Sequence, residues 1–407
     1  MFHTPTVTVI ESPMHALISG CDIALYFRAT DIPEKEWKLL NHTGNVFTDI
    51  EYLRALEVTA PHEMKFCYAV LKHNGDLLGG FVFQTIHLAP DILAEILAPL
   101  TKTKSIVSGL SEWLTRCKEE TGLRVLISGN SFVSGRHGVL LAKNVDPKIV
   151  FAALPEVVKL IVKHDILPHK ISIILVKDYS SDSTLKPEDS LKRSRYHSFA
   201  VEPEMVVDIR NNWKVFSDYV NSMSKKYRNR TKSVMTKSGA LQEHDLDEDG
   251  IQDNLNELFA LYKSVHNKAR FRLAALTPDY FVAMKRKFPA DFKLVMYTLH
   301  GKAVGFRSYF RNSDQLEAHF IGLDYSVNRE LHLYQRVLYD FVNDAIESGC
   351  HTLLLGRTAA EIKSTIGAIP EPLTCYIRHR NGLSNQLIRP FIDYLEPSTW
   401  TPREPFK

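Results

Sequence analysis

Short apolar runs alternate along the chain with polar turns and with segments of helical periodicity. Residues 65–88 read KFCYAVLKHNGDLLGGFVFQTIHL, two apolar strands joined by an Asn-Gly turn, which is a strong hairpin signal. Residues 292–312 repeat this pattern, and a further strand is predicted at 315–323. Apolar positions spaced three and four residues apart predict helices at 89–121, 146–164, 251–270 and 330–348. Helices that alternate with strands around central hairpins predict an α/β fold with mixed sheets.

The two halves of the sequence repeat the same succession of elements. After each hairpin comes an apolar run that ends in glycine, LRVLISGNS at 123–131 and HTLLLGRTA at 351–359. The same elements recur in the same order and at similar spacing in both halves, which predicts the duplication of a whole domain. Solenoid repeats are not expected, because their periods are shorter. The polar stretch 177–199 is the predicted boundary, which gives an N-terminal module at 1–185 and a C-terminal module at 186–407.

The composition is typical of a globular protein with reduced thiols. The chain has 407 residues, of which 44% are hydrophobic and 24% charged, and this length favours two domains. A net charge of +3 gives no overall attraction to DNA or to a membrane, although peripheral contact with the inner membrane is left open. Five scattered cysteines without CxxC spacing favour the cytoplasm, and no apolar run is long enough to span a membrane. Metal-binding spacing such as HExxH is absent, so no metal is expected.

Four stretches of the second half carry a family likeness. They are VGFRSYF at 304–310, LEAHFIGLDYSVNRELHLYQRVLYDFVNDAIESG at 316–349, LLLGRTAAEIKSTIGAIP at 353–370 and the basic SKKYRNRTKSVMTKSGA at 224–240. The chain resembles GNAT-like acyl-CoA N-acyltransferases, in the branch of the FemABX proteins and the BioF2-like acyltransferase domains, and specifically their bacterial members of similar length. The resemblance implies two tandem GNAT-like modules with an α/β mixed sheet, of which the C-terminal one is catalytic.

The family binds its donor beside the start of the central helix. Acetyl-CoA-using members hold the pyrophosphate on a glycine-rich loop there, whereas this chain reads NRELHL at 328–333, without glycine. The helix N-terminus still offers N–H groups and a positive dipole end, so the resemblance implies donor binding at Asn328, Arg329 and His332. No cofactor is expected to be permanently bound. Acyl-CoA or acyl carrier protein is the expected donor, and aminoacyl-tRNA is the alternative that the FemABX branch implies.

The strand 315–323 corresponds to the one that often supplies a general base in GNAT proteins. Amine acylation needs a base, because a protonated amine is not a nucleophile. By the period of two, Glu317 and His319 share one face with Ile321, and either is a candidate base. A polar pair without catalytic function is the alternative. Tyr334, one turn into the central helix, matches by position the tyrosine that protonates the leaving thiolate in many members, with core packing as its alternative.

Two residues directly after a buried strand are candidates for binding an anion. Arg357 and Thr358 stand at its carboxyl end, where an arginine is well placed to bind an anion in the crevice of a sheet. The alternatives are an ion pair for Arg357 and a helix N-cap for Thr358. Lys363, one turn further, either meets a phosphate or carboxylate or is solvated.

A basic helix and a glycine-containing loop complete the candidates. In the helix, Lys226, Arg230 and Lys237 favour a polyanion such as the phosphates of CoA, tRNA or anionic lipid, with simple solvation as the alternative. The loop GNSFVSGRHG at 129–138 is not a P-loop, because the lysine and hydroxyl residue of that motif are absent. It is predicted either to face the cleft between the modules or to be a plain loop.

Three functions are open at this point. The first is an N-acyltransferase that moves an acyl group from a thioester to the amine of an amino acid or amino lipid, with a small-molecule acceptor and acyl carrier protein as partners. The second is a FemABX-like transferase of cell-wall synthesis that uses aminoacyl-tRNA. The third is a non-catalytic, ligand-binding tandem module, which the missing glycines favour.

Overall fold

The structure is a computed structural model that describes residues 14–18, 21–88, 123–163, 171–180, 187–268 and 274–386, with part of 388–406. The helix predicted at 89–121 lies outside the described residues. In the part of the chain that is described, no helix combines the length and the apolar character needed to cross a bilayer.

The described strands form a single mixed sheet of 14 strands. Its order is β1-β2-β3-β4-β5-β7-β14-β8-β13-β12-β11-β10-β9, and β6 pairs with β4. In chain order the strands are β1 (Met14–Ile18), β2 (Cys21–Tyr26), β3 (Lys65–His73), β4 (Asp76–Leu88), β5 (Leu123–Ser128), β6 (Val139–Leu141), β7 (Ile173–Ser180), β8 (His197–Asp208), β9 (Gln242–Asp245), β10 (Phe292–Leu299), β11 (Lys302–Asn312), β12 (Gln315–Leu323), β13 (Thr352–Leu354) and β14 (Ile369–His379).

Amphipathic helices cover the sheet with their apolar sides. They are α1 (Glu34–Leu40), α2 (Ile50–Thr59), α3 (Pro147–Lys163), α4 (Glu188–Arg193), α5 (Phe216–Ser222), α6 (Lys225–Lys237), α7 (Glu248–Asp253), α8 (Leu255–His266), α9 (Asp279–Lys287), α10 (Tyr325–Leu331), α11 (Leu333–Glu347), α12 (Ala360–Ser364) and α13 (Gly382–Gln386). In α11, for example, Val337, Leu338, Phe341 and Ala345 are all buried, at the three- and four-residue spacing of one helix face.

Each half of the chain contains the same unit of a hairpin, a third strand, a crossover helix and a parallel strand. The units are β3-β4-β5-α3-β7 and β10-β11-β12-α11-β13. This confirms the mixed α/β fold with two modules. It also shows that the pairing of 123–131 with 351–359 is wrong, because β5 is antiparallel to β4 and parallel to β7, as β12 is to β11 and β13. Both runs are buried and end in glycine, which is why they look alike in sequence.

The last strand joins the two halves of the sheet. β14 lies between β7 and β8 and pairs antiparallel with both. The stretch 177–199, predicted as the boundary between the modules, contains the end of β7, all of α4 and the start of β8, and the division at 185/186 stays a prediction. Its polar character comes from exposed faces: on α4, Lys192 and Glu188 form an ion pair on the surface.

Aromatic side chains from both modules pack together under the sheet. The rings of Phe47 and Phe310 are 5.3 Å apart, and the hydroxyls of Tyr52 on α2 and Tyr280 on α9 are 3.4 Å apart. The Val46 backbone N–H also donates to Asn312 Oδ1 across the two halves at 3.1 Å. These contacts are buried, so they hold the two modules in one arrangement and fix the cleft between them.

Candidate functional site

Strands β12 and β13 run parallel and then separate, which leaves a gap in the sheet. Their pairing covers residues 315–317 of β12, and its final pair joins Glu317 to Leu354. Over 318–323, β12 pairs only with β11 among the described strands, so its other edge has no strand partner there, although the Leu323 carbonyl accepts a hydrogen bond from the Ser264 hydroxyl. The N-terminal module shows no such gap in its described part, because β5 stays paired with β7 up to Ser128, its last residue.

A β-bulge reorders the side chains beside the gap. The register between β11 and β12 shifts opposite Ser308, where β12 inserts His319 and Phe320, and the Ser308 hydroxyl bonds the N–H and C=O of Phe320 at 3.1 and 2.9 Å. The expected alternation of Glu317, His319 and Ile321 on one face is therefore wrong. Ile321 packs with the core beneath α11, whereas His319 and Phe320 face the aromatic residues on the other side.

A cavity of about 810 Å³ opens from the gap and is lined by both modules. The N-terminal module contributes Asn45, Phe47 and the loop 131–137, so this loop does face the cleft. Of the predicted site residues, the cavity wall includes Glu317, His319, Tyr334, Arg357, Thr358 and Lys363. Those that do not line it are Asn328, Arg329, His332, Lys226, Arg230 and Lys237.

Glu317 stands where the gap opens and is only 8% exposed. The Asn312 side-chain amide donates a hydrogen bond to Glu317 Oε1. Burial raises the pKa of Glu317 to about 7, against the opposing effect of Asn312, and the charge of Glu204 raises it further. A carboxylate with this pKa is half ionised near neutral pH, which suits a general base.

His319 lies in an aromatic enclosure that keeps it neutral. Its ring stacks on Tyr280 and Phe47 at 5.6 and 5.8 Å, and Nε2 is 2.7 Å from the Tyr280 hydroxyl. Burial lowers the pKa of His319 to about 3, and Nδ1 has no hydrogen-bond partner among the residues that the structure describes. A histidine with so low a pKa is a weak base. Of the two candidates, Glu317 is therefore better suited than His319 to accept a proton from the amine.

The start of the central helix differs from the expectation. The helix predicted at 330–348 begins at Leu333, because His332 adopts a left-handed conformation (φ 51°, ψ 36°) that separates it from α10. The Asn328 side chain accepts a hydrogen bond from the Tyr334 backbone N–H at 2.8 Å. The Tyr334 N–H is one of the backbone amides at the helix start that were expected to bind the donor phosphate, and it is therefore already hydrogen-bonded. His332 Nε2 is 3.1 Å from Lys237 Nζ, outside the cavity.

Replacing Asn328 with alanine is expected to lower the free energy of unfolding by about 1 kcal/mol, because the Tyr334 N–H loses its capping acceptor. Chemical denaturation measures this change. Arg329→Ala is the matched control, since Arg329 is exposed on the same short helix and should change stability by less than about 0.5 kcal/mol. Equal effects of the two variants would contradict the capping role.

Tyr334 lies beside the gap, on the first turn of α11. Burial raises the pKa of its phenol, so the hydroxyl keeps its proton at neutral pH. A protonated phenol at this place is able to supply a proton to a leaving group, which leaves the expected role of Tyr334 a prediction.

Arg357 reaches across the cleft to the N-terminal module. Its Nη1 donates to Asp178 Oδ1 at 3.0 Å, and Asp178 is also 2.8 Å from the ammonium of Lys177. Asp178 is fully buried and its pKa is lowered by these two cations despite its burial. The sequence left open an ion pair for Arg357, and the structure supplies one with a carboxylate of the other module.

Lys363 holds the backbone that carries Arg357. Its ammonium donates to the carbonyls of residues 355, 356 and 357 at 2.7, 2.9 and 2.6 Å, and the side chain is buried. These three bonds use every N–H of the ammonium, so the expected contact with phosphate or carboxylate is corrected to a structural role. Thr358 is not the N-cap of α12: that position is Ala359, and Thr358 itself is left-handed (φ 68°) on the cavity wall.

The sequence did not single out Glu204, the second buried carboxylate of the cavity. It lies on β8, is 6% exposed and accepts a hydrogen bond from the Ser134 hydroxyl through Oε2. Burial raises the pKa of Glu204, while Ser134, the charge of Lys363 and the nearby Gly356 amide lower it. Residues 204–207 of β8 are buried consecutively, so no period-two alternation in the sequence could have indicated it.

The basic helix α6 lies away from the cavity. It turns Tyr227, Thr231 and Val234 inward and leaves its lysines and arginines in two outer stripes. Lys226 and Arg230 line a separate pocket of about 460 Å³ beside α12, and Lys237 is at the far end of the helix near His332. The three residues expected to bind one anion are thus divided between two places.

Comparison with known proteins agrees with the topology of the C-terminal half. Residues 222–364 match the family model of the acetyltransferase (GNAT) domain. Among solved structures, FemX covers 88% of this chain and 98% of its own at 12% identity, with a TM-score of 0.53. A tandem GNAT protein from the clavulanic acid biosynthesis pathway covers 88% of this chain and 99% of its own at 9% identity, with a TM-score of 0.50.

The chain has a tandem GNAT-like fold of the FemX type. The matched GNAT domain, residues 222–364, supports a transferase of the acyltransferase type. No protein of curated function matches the sequence. Within this tandem GNAT-like fold, the described residues contain no group of three or more His, Cys, Asp or Glu side chains able to hold a metal ion.

Proposed function

We propose that the protein is an N-acyltransferase that transfers an acyl group from a thioester to a primary amine. One observation carries the proposal: Glu317, with a pKa of about 7, stands at the apex of the gap between β12 and β13. The free edge of 318–323 gives a donor arm backbone partners, and a base stands beside the place where its carbonyl would lie.

Each residue has one part in the proposed reaction. The acceptor arrives as an ammonium and loses a proton to the Glu317 carboxylate. The free amine attacks the donor carbonyl carbon, so the N–C bond forms and the C–S bond breaks. Tyr334 gives its proton to the departing thiolate and recovers one from solvent or from protonated Glu317. The second proton that the nitrogen loses on becoming an amide passes to solvent. Backbone N–H groups of 318–323 polarise the carbonyl during the attack.

The donor that we propose first is acyl-CoA or an acylated carrier protein, because both offer a narrow arm that suits the edge of a strand. An aminoacyl-tRNA donor is the second candidate, with an ester C–O bond in place of the thioester. Two observations favour it: Asn328 already bonds an amide at the start of α11, and Lys226 and Arg230 on α6 have no ion-pair partner among the described residues.

An assay of donor consumption tests the proposal. The full chain is incubated with acyl-CoAs of different chain length, an acylated carrier protein and aminoacyl-tRNA, each with and without a panel of amines. Amine-dependent release of thiol supports the first donor class, and amine-dependent deacylation of tRNA supports the second. Consumption of none of the donors contradicts the proposal and favours a non-catalytic ligand-binding module.

A further inference from the structure

The inner wall of the cavity holds a carboxylate whose binding capacity is incompletely used. Glu204 is more than nine-tenths buried, and its Oε1 accepts no hydrogen bond of normal geometry from the described residues. Glu317 lines the same cavity, is similarly buried, and among the described side chains accepts a hydrogen bond only from the neutral amide of Asn312. Two buried carboxylates that share a cavity without a cation between them are costly unless a ligand supplies positive charge.

The cations of the cleft do not bond either carboxylate, although the charge of Lys363 lowers the pKa of Glu204 from a distance. All three N–H groups of Lys363 bond backbone carbonyls, and Arg357 bonds Asp178. Lys177 is held by the carbonyls of residues 130 and 133 and by Asp178. Within the described part of the chain, neither Glu204 nor Glu317 has a salt bridge to any of them.

Arg136 is a cation in the lining of the same cavity. It belongs to the loop 131–137, lines the cavity, is partly buried, and has no hydrogen-bond or ion-pair partner among the described residues. Removing a guanidinium from water without a partner is unfavourable, so this side chain is also available to a ligand. An arginine binds carboxylate and phosphate in two-pronged geometry.

We propose that Glu204 and Arg136 form the acceptor-binding site, and that the acceptor is a primary amine which also carries an anionic group. Glu204, with Glu317, accepts hydrogen bonds from the ammonium, and Arg136 binds the carboxylate or phosphate. Glu204 thereby positions the nitrogen next to the Glu317 base. This inference rests on the proposed function, because the bound amine is an acceptor only if the protein transfers an acyl group to it. The binding site itself is testable without any donor.

Binding to the full chain by isothermal titration tests the site. The ligands are the protein amino acids, β-alanine, γ-aminobutyrate and O-phosphoethanolamine, with ethylamine and propionate as single-charge analogues. At least one zwitterion is expected to bind at least about tenfold more tightly than either analogue, since a charge-assisted hydrogen bond contributes about that factor. Preferred binding of a carboxylate zwitterion indicates an amino acid as the acceptor, whereas preferred binding of O-phosphoethanolamine indicates a phospholipid headgroup.

Two variants assign the ends of the ligand. Glu204→Gln is expected to weaken the preferred zwitterion at least about tenfold, and Arg136→Met to abolish its preference over ethylamine. Glu202→Gln is the matched control, because Glu202 is exposed on the same strand and does not line the cavity. The inference is overturned if no zwitterion binds, if ethylamine binds as tightly, or if Glu202→Gln has the same effect as Glu204→Gln.

The donor assay separates this inference from the proposed function. If acyl transfer occurs but Arg136→Met leaves the zwitterion preference intact, the acceptor site is wrong and the transferase function stands. If a zwitterion binds through Glu204 and Arg136 but no donor is consumed, the site stands and the transferase function is wrong.

Discussion

Replacing Glu317 with glutamine is expected to lower kcat/KM for acyl transfer by about 100- to 10,000-fold, the range that a general base contributes. Glutamine keeps the shape of the side chain and still accepts the hydrogen bond from Asn312, but it cannot take a proton from the ammonium. Initial rates at saturating donor measure the loss.

The pH profile gives this prediction a second readout. Because the base must be ionised, the wild-type rate is expected to rise with pH and level off, with a midpoint of about 7 set by the pKa of Glu317. Burial is the main cause of this raised pKa; the Asn312 amide lowers it and the Glu204 carboxylate raises it further. In Glu317→Gln this limb of the profile should disappear. A variant that retains both the rate and the limb would exclude Glu317 as the base.

Stability separates the loss of catalysis from loss of fold. The folded pKa of Glu317, about 7, lies above its unfolded value, so ionisation costs the folded state stability as pH rises from about 4.5 through 7. Glutamine does not ionise and avoids this cost. Glu317→Gln is therefore expected to be at least as stable as the wild type above pH 7, which denaturation at pH 6 and pH 8 would measure.

Replacing Arg307 with methionine is expected to lower the free energy of unfolding by about 3–5 kcal/mol, the cost of removing one partner from a buried ionic network. Arg307 on β11 donates to both oxygens of Asp344 on α11 at 2.7 and 3.0 Å and to the Tyr297 hydroxyl at 2.6 Å. It is also 2.7 Å from Glu243 on β9. Without it, Asp344 remains buried with no cation bonded to it among the described residues, whereas Asp340 keeps Arg336 as its partner at 2.7 Å.

Arg311→Met provides the control for this prediction. Arg311 is on the same strand but exposed, so its replacement should change stability by less than about 0.5 kcal/mol. Thermal and urea denaturation compare the two variants. Because the network ties α11 to the sheet beside the gap, Arg307→Met should also reduce transfer at temperatures where it remains folded. A loss of stability no greater than that of Arg311→Met would contradict the structural role.

Local patterns in the sequence were sufficient for the elements that build the modules. The hairpin predicted at 292–312 is formed by β10 and β11, and β12 has the predicted bounds, 315–323, because each strand is a short apolar run bounded by turn residues. The hairpin of β3 and β4 turns at Asn74 and Gly75, which both have positive φ, as the Asn-Gly pair predicts. The position of β14 between the modules depends on pairing with distant strands, which periodicity cannot indicate.

The site was only partly predictable for the same reason. Glu317 could be proposed because strand position and residue type were enough, but its pKa depends on burial beneath the other module. The three carbonyls around Lys363 and the link from Arg357 to Asp178 are contacts of folded loops, so no spacing along the chain encodes them. Likewise, the bulge at His319 arises from the register with β11, so the predicted alternation of side chains between the two faces of β12 does not hold there.

Amide hydrogen exchange over 318–323 tests the central claim most directly, namely that the donor lies along the free edge of β12 beside Glu317. The full chain is compared alone and with stable mimics of each donor, an acyl-pantetheine amide and a 3′-aminoacylamino-adenosine. The account predicts that one mimic slows exchange in this segment, while β5 in the N-terminal module is unchanged. Tight binding of a mimic with no change over 318–323 would contradict it.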